Sequence, residues 1–228
     1  MIRYIAIMAA FFATIMIACL RPVETEAGIN TSHGMNQHPL TLLNLLYEMG
    51  NAYDCYFTVE SAWKDGEPYN KMEATIVEPS LMPSADKEGL QVTLDALKRQ
   101  VPNFTFMRDQ SDSRIIHVID SRLLNQKKYG LAYTVEHLEF SGSVGNLLSH
   151  LRAQGIPVDP QSSGSLHELG RHDSRVAVQV KVENSQVRAL LSHCAPVEGR
   201  SRILWIARTK LAKGAISVIQ FRGAKKRP

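Results

Sequence analysis

Two segments of the chain carry apolar residues at helical spacing, and they resemble each other. Residues 42–49 (LLNLLYEM) and residues 144–151 (VGNLLSHL) each have apolar side chains at positions i, i+3, i+4 and i+7. That spacing places all four side chains on one face of an α-helix. Thr41 and Ser143 precede the two segments, and each can accept a bond from a free N–H of the first turn. The pattern therefore predicts two amphipathic helices of one type.

A series of further elements follows the first helix, which Gly50 is expected to close by adopting the left-handed conformation. The pattern indicates a short strand, an alternating strand, a second helix and a pair of strands around a polar turn. Loops separate them at residues 63–70 and 79–89. The predicted strands are at residues 56–59, 72–77, 104–107 and 115–119, and the helix carries Leu90, Leu94, Leu97 and Val101.

The helix at residues 144–151 lies in the same order of elements. A strand precedes it, and a short extended piece, a strand of alternating valines, a helix and a hairpin follow it. Asn184 or Ser185 is the expected N-cap of the last helix. The predicted strands are at residues 131–140, 156–158, 176–183, 203–207 and 215–221, and the helix carries Val187, Leu190, Leu191 and Cys194.

The two series align with consistent spacing. Residues 44–46 match residues 146–148, and residues 96–97 match residues 189–190. The offset shrinks by nine positions between these matches, in keeping with a loop at residues 79–89 that the second series lacks. The chain has 228 residues, of which 44% are hydrophobic, so it can bury one sizeable core or two small ones.

We therefore expect an α+β protein with two repeated units, at residues 39–121 and 131–223. Each unit would have two helices packed on a small, mostly antiparallel sheet. Residues 122–130 would form a polar joint between the units, and residues 224–228 a basic tail.

The order of elements resembles the secretin and TonB short N-terminal (STN) domain. The resemblance rests on the LxxLL-like first helix, the second helix QVTLDALKRQV and the terminal hairpin FTFMRDQSDSRIIHVID. It covers residues 39–121, and more loosely residues 131–223. It implies a protein-binding module of the bacterial cell envelope.

The N-terminus predicts export. Residues 1–3 (MIR) supply a short positive region, and residues 4–20 are an uninterrupted apolar run, as in a secretory signal. Small residues at Thr25 and Ala27 predict cleavage before Gly28, which makes residues 1–27 a signal peptide and residues 28–38 a polar linker. The expected location is the periplasm or cell envelope.

Two alternatives to cleavage remain open. Residues 16–19 (MIAC) resemble a bacterial lipobox, in which Cys19 would carry the lipid, and the apolar run has a length that could also span a membrane uncleaved. Membrane attachment is expected only in these two cases. The other cysteines, Cys55 and Cys194, can form a disulfide in an oxidising compartment, or can be two buried thiols.

Charge does not indicate nucleic-acid binding. The formal net charge is +4, and Arg222, Lys225, Lys226 and Arg227 place four positive charges at the C-terminus. The folded body is therefore near neutral, and an exported protein rarely meets nucleic acid. We expect no nucleic-acid partner.

The histidines do not form a recognisable catalytic or metal-binding motif. His167 and His172 (HELGRH) are five positions apart, whereas a zinc-protease helix needs four. Ser149–His150 and Ser192–His193 are adjacent on helices, where neighbouring side chains point about 100° apart. His117 lies in an apolar strand, as a core or edge histidine does. We predict no catalytic residue, no cofactor and no metal site.

Trp63 and Tyr69 are the candidate partner-binding residues. They lie in a polar loop (WKDGEPYN), where exposed aromatic residues often anchor a partner, although Trp63 can also pack on its own domain. The expected function is non-enzymatic binding or assembly with an envelope protein or peptide. The alternatives are an exported hydrolase with a site between the units, and a lipid-anchored accessory protein.

Overall fold

The computed structural model describes residues 39–83, 89–159, 177–194 and 200–223, all of which belong to one compact unit, His38–Pro228. We call residues 39–121 the first half and residues 131–223 the second half. The helices are α1 (Leu42–Tyr53), α2 (Gly89–Gln100), α3 (Ser121–Leu124), α4 (Val144–Ala153) and α5 (Val187–His193). The strands are β1 (Tyr56–Trp63), β2 (Phe104–Arg108), β3 (Ile115–Asp120), β4 (Thr134–Ser143), β5 (Ala177–Gln186), β6 (Arg200–Lys210) and β7 (Ile216–Gly223). Short 3-10 turns lie at Pro79–Leu81 and Gly130–Ala132.

The two matching helices, α1 and α4, begin where the sequence predicts. The Thr41 hydroxyl accepts a bond from the Asn44 N–H at 3.3 Å, and the Ser143 hydroxyl accepts one from the Asn146 N–H at 3.2 Å. Each cap satisfies a donor that the first turn leaves free. The apolar residues at the predicted positions of both helices are buried.

The protein is mixed α+β, with strands from both halves in one five-stranded sheet of order β2-β3-β1-β6-β7. The central strand β1 runs parallel to β3 and to β6, and the outer pairs β2–β3 and β6–β7 are antiparallel. Strands β4 and β5 form a separate antiparallel pair. The expectation of one small sheet for each half is corrected, because β1 from the first half bonds directly to β6 from the second.

The shared sheet separates two hydrophobic cores. Because successive side chains of a strand point to opposite faces, Phe57 and Val59 of β1 lie in one core and Ala62 in the other. Helices α1 and α2 supply the apolar residues of the Phe57 core. Helices α4 and α5 and the β4–β5 pair supply those of the Ala62 core. Each half therefore covers a different face of the same sheet.

Gly50 does not end helix α1, contrary to expectation. The helix continues to Tyr53, and Asp54 takes the left-handed conformation, with φ of 50°. Gly50 is instead a site of close approach, since a Cβ there would lie 2.6 Å from the Cβ of Arg202 on β6. Its missing side chain allows α1 of the first half to pack against a strand of the second.

Residues 72–77 do not form the predicted strand. They lie in a turn, where the Ala74 N–H donates to the Asn70 carbonyl at 3.0 Å, and Ile76 makes a single bridge to Thr41. The alternating pattern misled because Glu73, expected on the solvent side, is buried and paired with Arg208. A tertiary ion pair decided which side chains of this segment face inward.

Three further expectations need correction. The joint at residues 122–130 is not a simple polar linker, because Leu123 and Tyr129 are buried in the second core. The strand predicted from residue 131 begins at Thr134, after the 3-10 turn. Asn184 and Ser185 lie within β5, and Gln186 is the N-cap of α5, without a side-chain cap bond.

Candidate functional site

A pocket of about 320 Å³ lies between the two halves. Residues 107–111 and His117 line it from the first half, and residues 183–186, Arg188 and His193 line it from the second. The first group is the end of β2, the turn that follows it and His117 of β3, and the second is the end of β5 with residues of α5. We call this space the inter-half pocket.

A buried acid–histidine–hydroxyl chain lies in the wall of the pocket. His117 Nε2 is 2.9 Å from Oδ2 of Asp109, and His117 Nδ1 is 2.8 Å from the hydroxyl oxygen of Thr58. Asp109 also accepts bonds from the N–H and the hydroxyl of Ser111, at 2.7 and 2.5 Å. Both ring nitrogens of His117 are therefore occupied within the protein.

This chain lacks the properties of a catalytic triad. Burial alone would raise the pKa of Asp109, but the bonds from His117 and Ser111 hold that pKa well below its usual range. Such a stable anion is a weak base for activating the Ser111 hydroxyl. Thr58 is fully buried, so its hydroxyl cannot reach a substrate. His117 is a satisfied core histidine, which is one of the two positions, core or edge, that its apolar strand allowed.

Arg188 is a buried cation of the pocket wall that is incompletely satisfied. It is the second residue of α5 and is 4% exposed. Its Nη2 lies 3.3 Å from Oε2 of Glu60 without the geometry of a hydrogen bond, and its Nε has no hydrogen-bond partner. Its Nη1 donates to the sulfur of Met107 at 2.8 Å, and a thioether is a weak acceptor.

Glu60 compensates the charge of Arg188 from the middle of β1, where it is fully buried. Its Oε2 also accepts a bond from the hydroxyl of Tyr129, and its Oε1 has no hydrogen-bond partner. Burial raises the pKa of Tyr129 well above its ordinary value, and the Glu60 charge adds to this. Tyr129 therefore remains a neutral donor that helps to hold the Glu60 carboxylate in place.

Trp63 and Tyr69, the predicted anchors, lie away from the pocket, beside two basic residues of β6. The Lys210 amine is 5.1 Å from the centre of the Trp63 ring, and the Arg208 guanidinium is 5.0 Å from that of Tyr69. Tyr69 is 56% exposed, and Trp63, the last residue of β1, is half-buried. Tyr69 can thus meet a partner while resting on Arg208.

The cysteines described by the structure are both free thiols and both buried, in separate cores. Burial raises the pKa of Cys55 to about 11 and that of Cys194 to about 12. These thiols stay protonated near neutral pH and are poor nucleophiles. Cys19, His167 and His172 lie outside the described residues.

Neither Ser-His pair forms a nucleophile with its base. The Ser149 hydroxyl donates to the Gly145 carbonyl, and the His193 ring bonds the Ala189 carbonyl. Ser192 is buried, and its hydroxyl accepts a bond from the Trp205 indole at 3.1 Å.

No group of three or more His, Cys, Asp or Glu side chains in the part of the chain that the structure describes could hold a metal ion. No helix within the described residues has the length and apolar character needed to cross a membrane.

Sequence reasoning missed Glu60, Asp109 and Arg188. A weak signal was present for Glu60, since it directly follows the strand predicted at residues 56–59. If that strand continues, as it does here to Trp63, its carboxylate requires a buried cation partner or a hydrogen-bond donor. The partner could not be found in the sequence, because Arg188 lies in the other half. The sequence places Asp109 in a polar turn, and its bond to His117 depends on the β2–β3 pairing.

Comparison of the chain with family models, with curated proteins and with solved structures finds no match.

Proposed function

We propose that this is an exported bacterial envelope protein built from two STN-like repeats, and that it acts as a non-enzymatic binding or assembly module. The partner is an envelope protein or peptide. The observation that carries this proposal is the inter-half pocket, which both repeats line and in whose wall Asp109 and His117 are buried and bonded to each other. Asp109 accepts a bond from the Ser111 hydroxyl, but it is a stable anion and a weak base for that group.

The strand pairings support the repeat. In the first half, an antiparallel bridge joins Thr41 to Ile76, β1 is parallel to β3, and β2 is antiparallel to β3. In the second half, β4 is antiparallel to β5, a parallel bridge joins Val158 to Ile216, and β6 is antiparallel to β7. The same three pairings thus recur in the same order.

One observation favours the hydrolase alternative. The pocket collects Asp109 and His117 from the first half and Glu183 and His193 from the second, which a site between the units would do. Against this, the bonds to Asp109 stabilise its anion, and the Glu183 side chain is 72% exposed, 3.9 Å from His137. The Asp109 anion is therefore a weak base for Ser111, the exposed hydroxyl that contacts it.

Capture from native envelope extract tests the proposed function. The wild-type protein, a variant with every histidine except the buried His117 replaced and the Trp63→Ala/Tyr69→Ala variant serve as baits. We expect capture to survive loss of the histidines and to weaken by about 2 kcal/mol or more without the two aromatics. Tyr47→Ala is the matched control, because Tyr47 is also an exposed aromatic residue, on α1.

Two results would count against this account. If the double aromatic variant captures the partner as well as the wild type does, Trp63 and Tyr69 are not part of the interface. A hydrolytic activity of the purified protein that Ser111→Ala abolishes would place the hydrolase ahead of the binding module.

A further inference from the structure

We infer that the inter-half pocket binds a carboxylate group, with Arg188 as its anchor and Met107 as a displaceable cover. The inference rests on the proposed function, since it identifies the chemistry by which the pocket holds its ligand. The evidence is the incomplete bonding of a buried guanidinium, the exposure of the side chain that covers it, and the distribution of the other charges in the pocket.

The guanidinium of Arg188 has unused hydrogen-bonding capacity. An arginine carries five N–H donors, and buried donors are rarely left unpaired. Here Nε has no hydrogen-bond partner, and Nη1 has only the sulfur of Met107. A hydrogen bond from a charged donor to an anionic oxygen is about twice as strong as a neutral one. An anionic oxygen in place of the sulfur would therefore satisfy Nη1 far better than Met107 does.

Met107 is suited to the role of a cover. It lies on β2, the edge strand of the shared sheet, and is 42% exposed. Its unbranched side chain has three rotatable bonds, so it can leave Nη1 without movement of the strand. The contact between Met107 and Arg188 also joins the two halves across the pocket. A ligand that displaces Met107 from Arg188 therefore binds between the two halves.

The acidic residues of the pocket do not neutralise this site. Asp109 already accepts bonds from His117, Ser111 and the N–H of Asp112. The Glu183 carboxylate is exposed to solvent. Arg108 adds a second positive charge to the lining. A small carboxylate that enters the pocket therefore meets one anion that is already bonded, one solvated anion and two cations. One of these cations, Arg188, is already partly neutralised by the buried Glu60.

The carboxylate can come from a peptide C-terminus or from an acidic side chain, which share the same chemistry. The probes are N-acetyl-Ala-Ala with a free C-terminus, its C-terminal amide, and N-acetyl-Glu-amide. Each is titrated into the full-length protein labelled at the methionine methyl groups. The Met107 methyl signal, assigned by comparison with Met107→Leu, reports directly on the cover.

We expect the free acid to shift the Met107 methyl signal saturably and the amide of the same peptide to leave it unchanged. A response to N-acetyl-Glu-amide in place of the C-terminal acid identifies an acidic side chain as the source, and still supports a carboxylate site. Equal responses to the acid and to its amide, or no response to any carboxylate, would overturn the inference.

Three variants assign the binding to Arg188. Arg188→Lys keeps the charge but loses the planar fork, and should weaken binding of the free acid at least tenfold. Met107→Leu removes the sulfur but keeps the size, and should bind the acid as tightly as the wild type or more tightly, as followed by calorimetry. Arg108→Gln, a change on the exposed rim, should weaken binding less than threefold. If Arg108→Gln abolishes binding while Arg188→Lys does not, the anchor is wrongly assigned.

The folded state of Arg188→Lys is checked by its circular dichroism. If that variant does not fold, the acid-versus-amide comparison on the wild type and on Met107→Leu decides the inference without it. If the protein captures an envelope partner but responds to none of the carboxylate probes, the carboxylate site is wrong and the proposed function is still supported.

Discussion

Arg188 Nη2, on helix α5, lies 3.3 Å from Oε2 of Glu60, in the middle of strand β1. The pair joins a helix of the second half to the central strand of the first, and both side chains are buried. Removal of one member of a buried ion pair leaves an uncompensated charge, which costs about 3–5 kcal/mol. The contact therefore makes the fold of one half depend on the other.

Glu60→Gln should lower the free energy of unfolding by about 3 kcal/mol, measured by urea denaturation. The double variant Glu60→Gln/Arg188→Met should recover part of that loss, since it leaves no buried charge. Glu139→Gln is the matched control. It breaks the exposed pair with Lys181 at 3.4 Å, which should cost less than about 1 kcal/mol. A Glu60→Gln protein as stable as the control variant would contradict the role of the pair.

Residues 39–130 expressed alone should not fold cooperatively. In the whole protein, α4, α5 and the β4–β5 pair cover one face of the sheet, and β6 pairs with β1. Without them, Ile115 and Ile119 would lose their apolar cover and Glu60 its cation. Thermal melts followed by circular dichroism test this, with residues 39–223 as the control. A sharp transition from the short fragment would show that the first half is an independent domain.

Asp109 should make the protein sensitive to acid. Its folded-state pKa is held below the ordinary value of 3.8, because the ionised carboxylate accepts bonds from His117 and Ser111. The stability that it contributes is therefore fully present above about pH 4 and is lost as the pH falls through the folded-state pKa. Asp109→Asn should be less stable at neutral pH and should show a shallower fall in unfolding free energy below pH 4.

Glu136→Gln is the control for the acid series, because Glu136 is exposed on β4. Its pH profile should follow the wild-type profile. An Asp109→Asn protein that loses stability in acid as steeply as the wild type would show that other carboxylates carry the effect.

The mature chain should begin at Gly28. The positive start, the apolar run and the small residues at Thr25 and Ala27 are the features that a signal peptidase reads. Intact-mass analysis of the protein from the native envelope tests this. A species that retains residues 1–27 would favour the anchored form, and one that starts at a diacylated Cys19 would favour the lipoprotein.

Much of the secondary structure could be predicted because its causes are local. Helices α1 and α4 follow from their apolar spacing and from the caps at Thr41 and Ser143. Helix α2 and the β2–β3 hairpin depend on neighbouring residues in the same way. The errors occur where a distant residue decides, as at Glu73, which Arg208 draws into the interior.

The candidate site could not be predicted from the sequence. Periodicity shows which face of an element is buried, but not which element covers it. The sequence by itself determined helices α1, α2, α4 and α5 and most of the strands. Only the tertiary structure decided that β1 pairs with β6, that Glu60 meets Arg188 and that the two halves enclose a pocket. These contacts join residues far apart in the chain, whose meeting depends on how both halves pack onto one sheet.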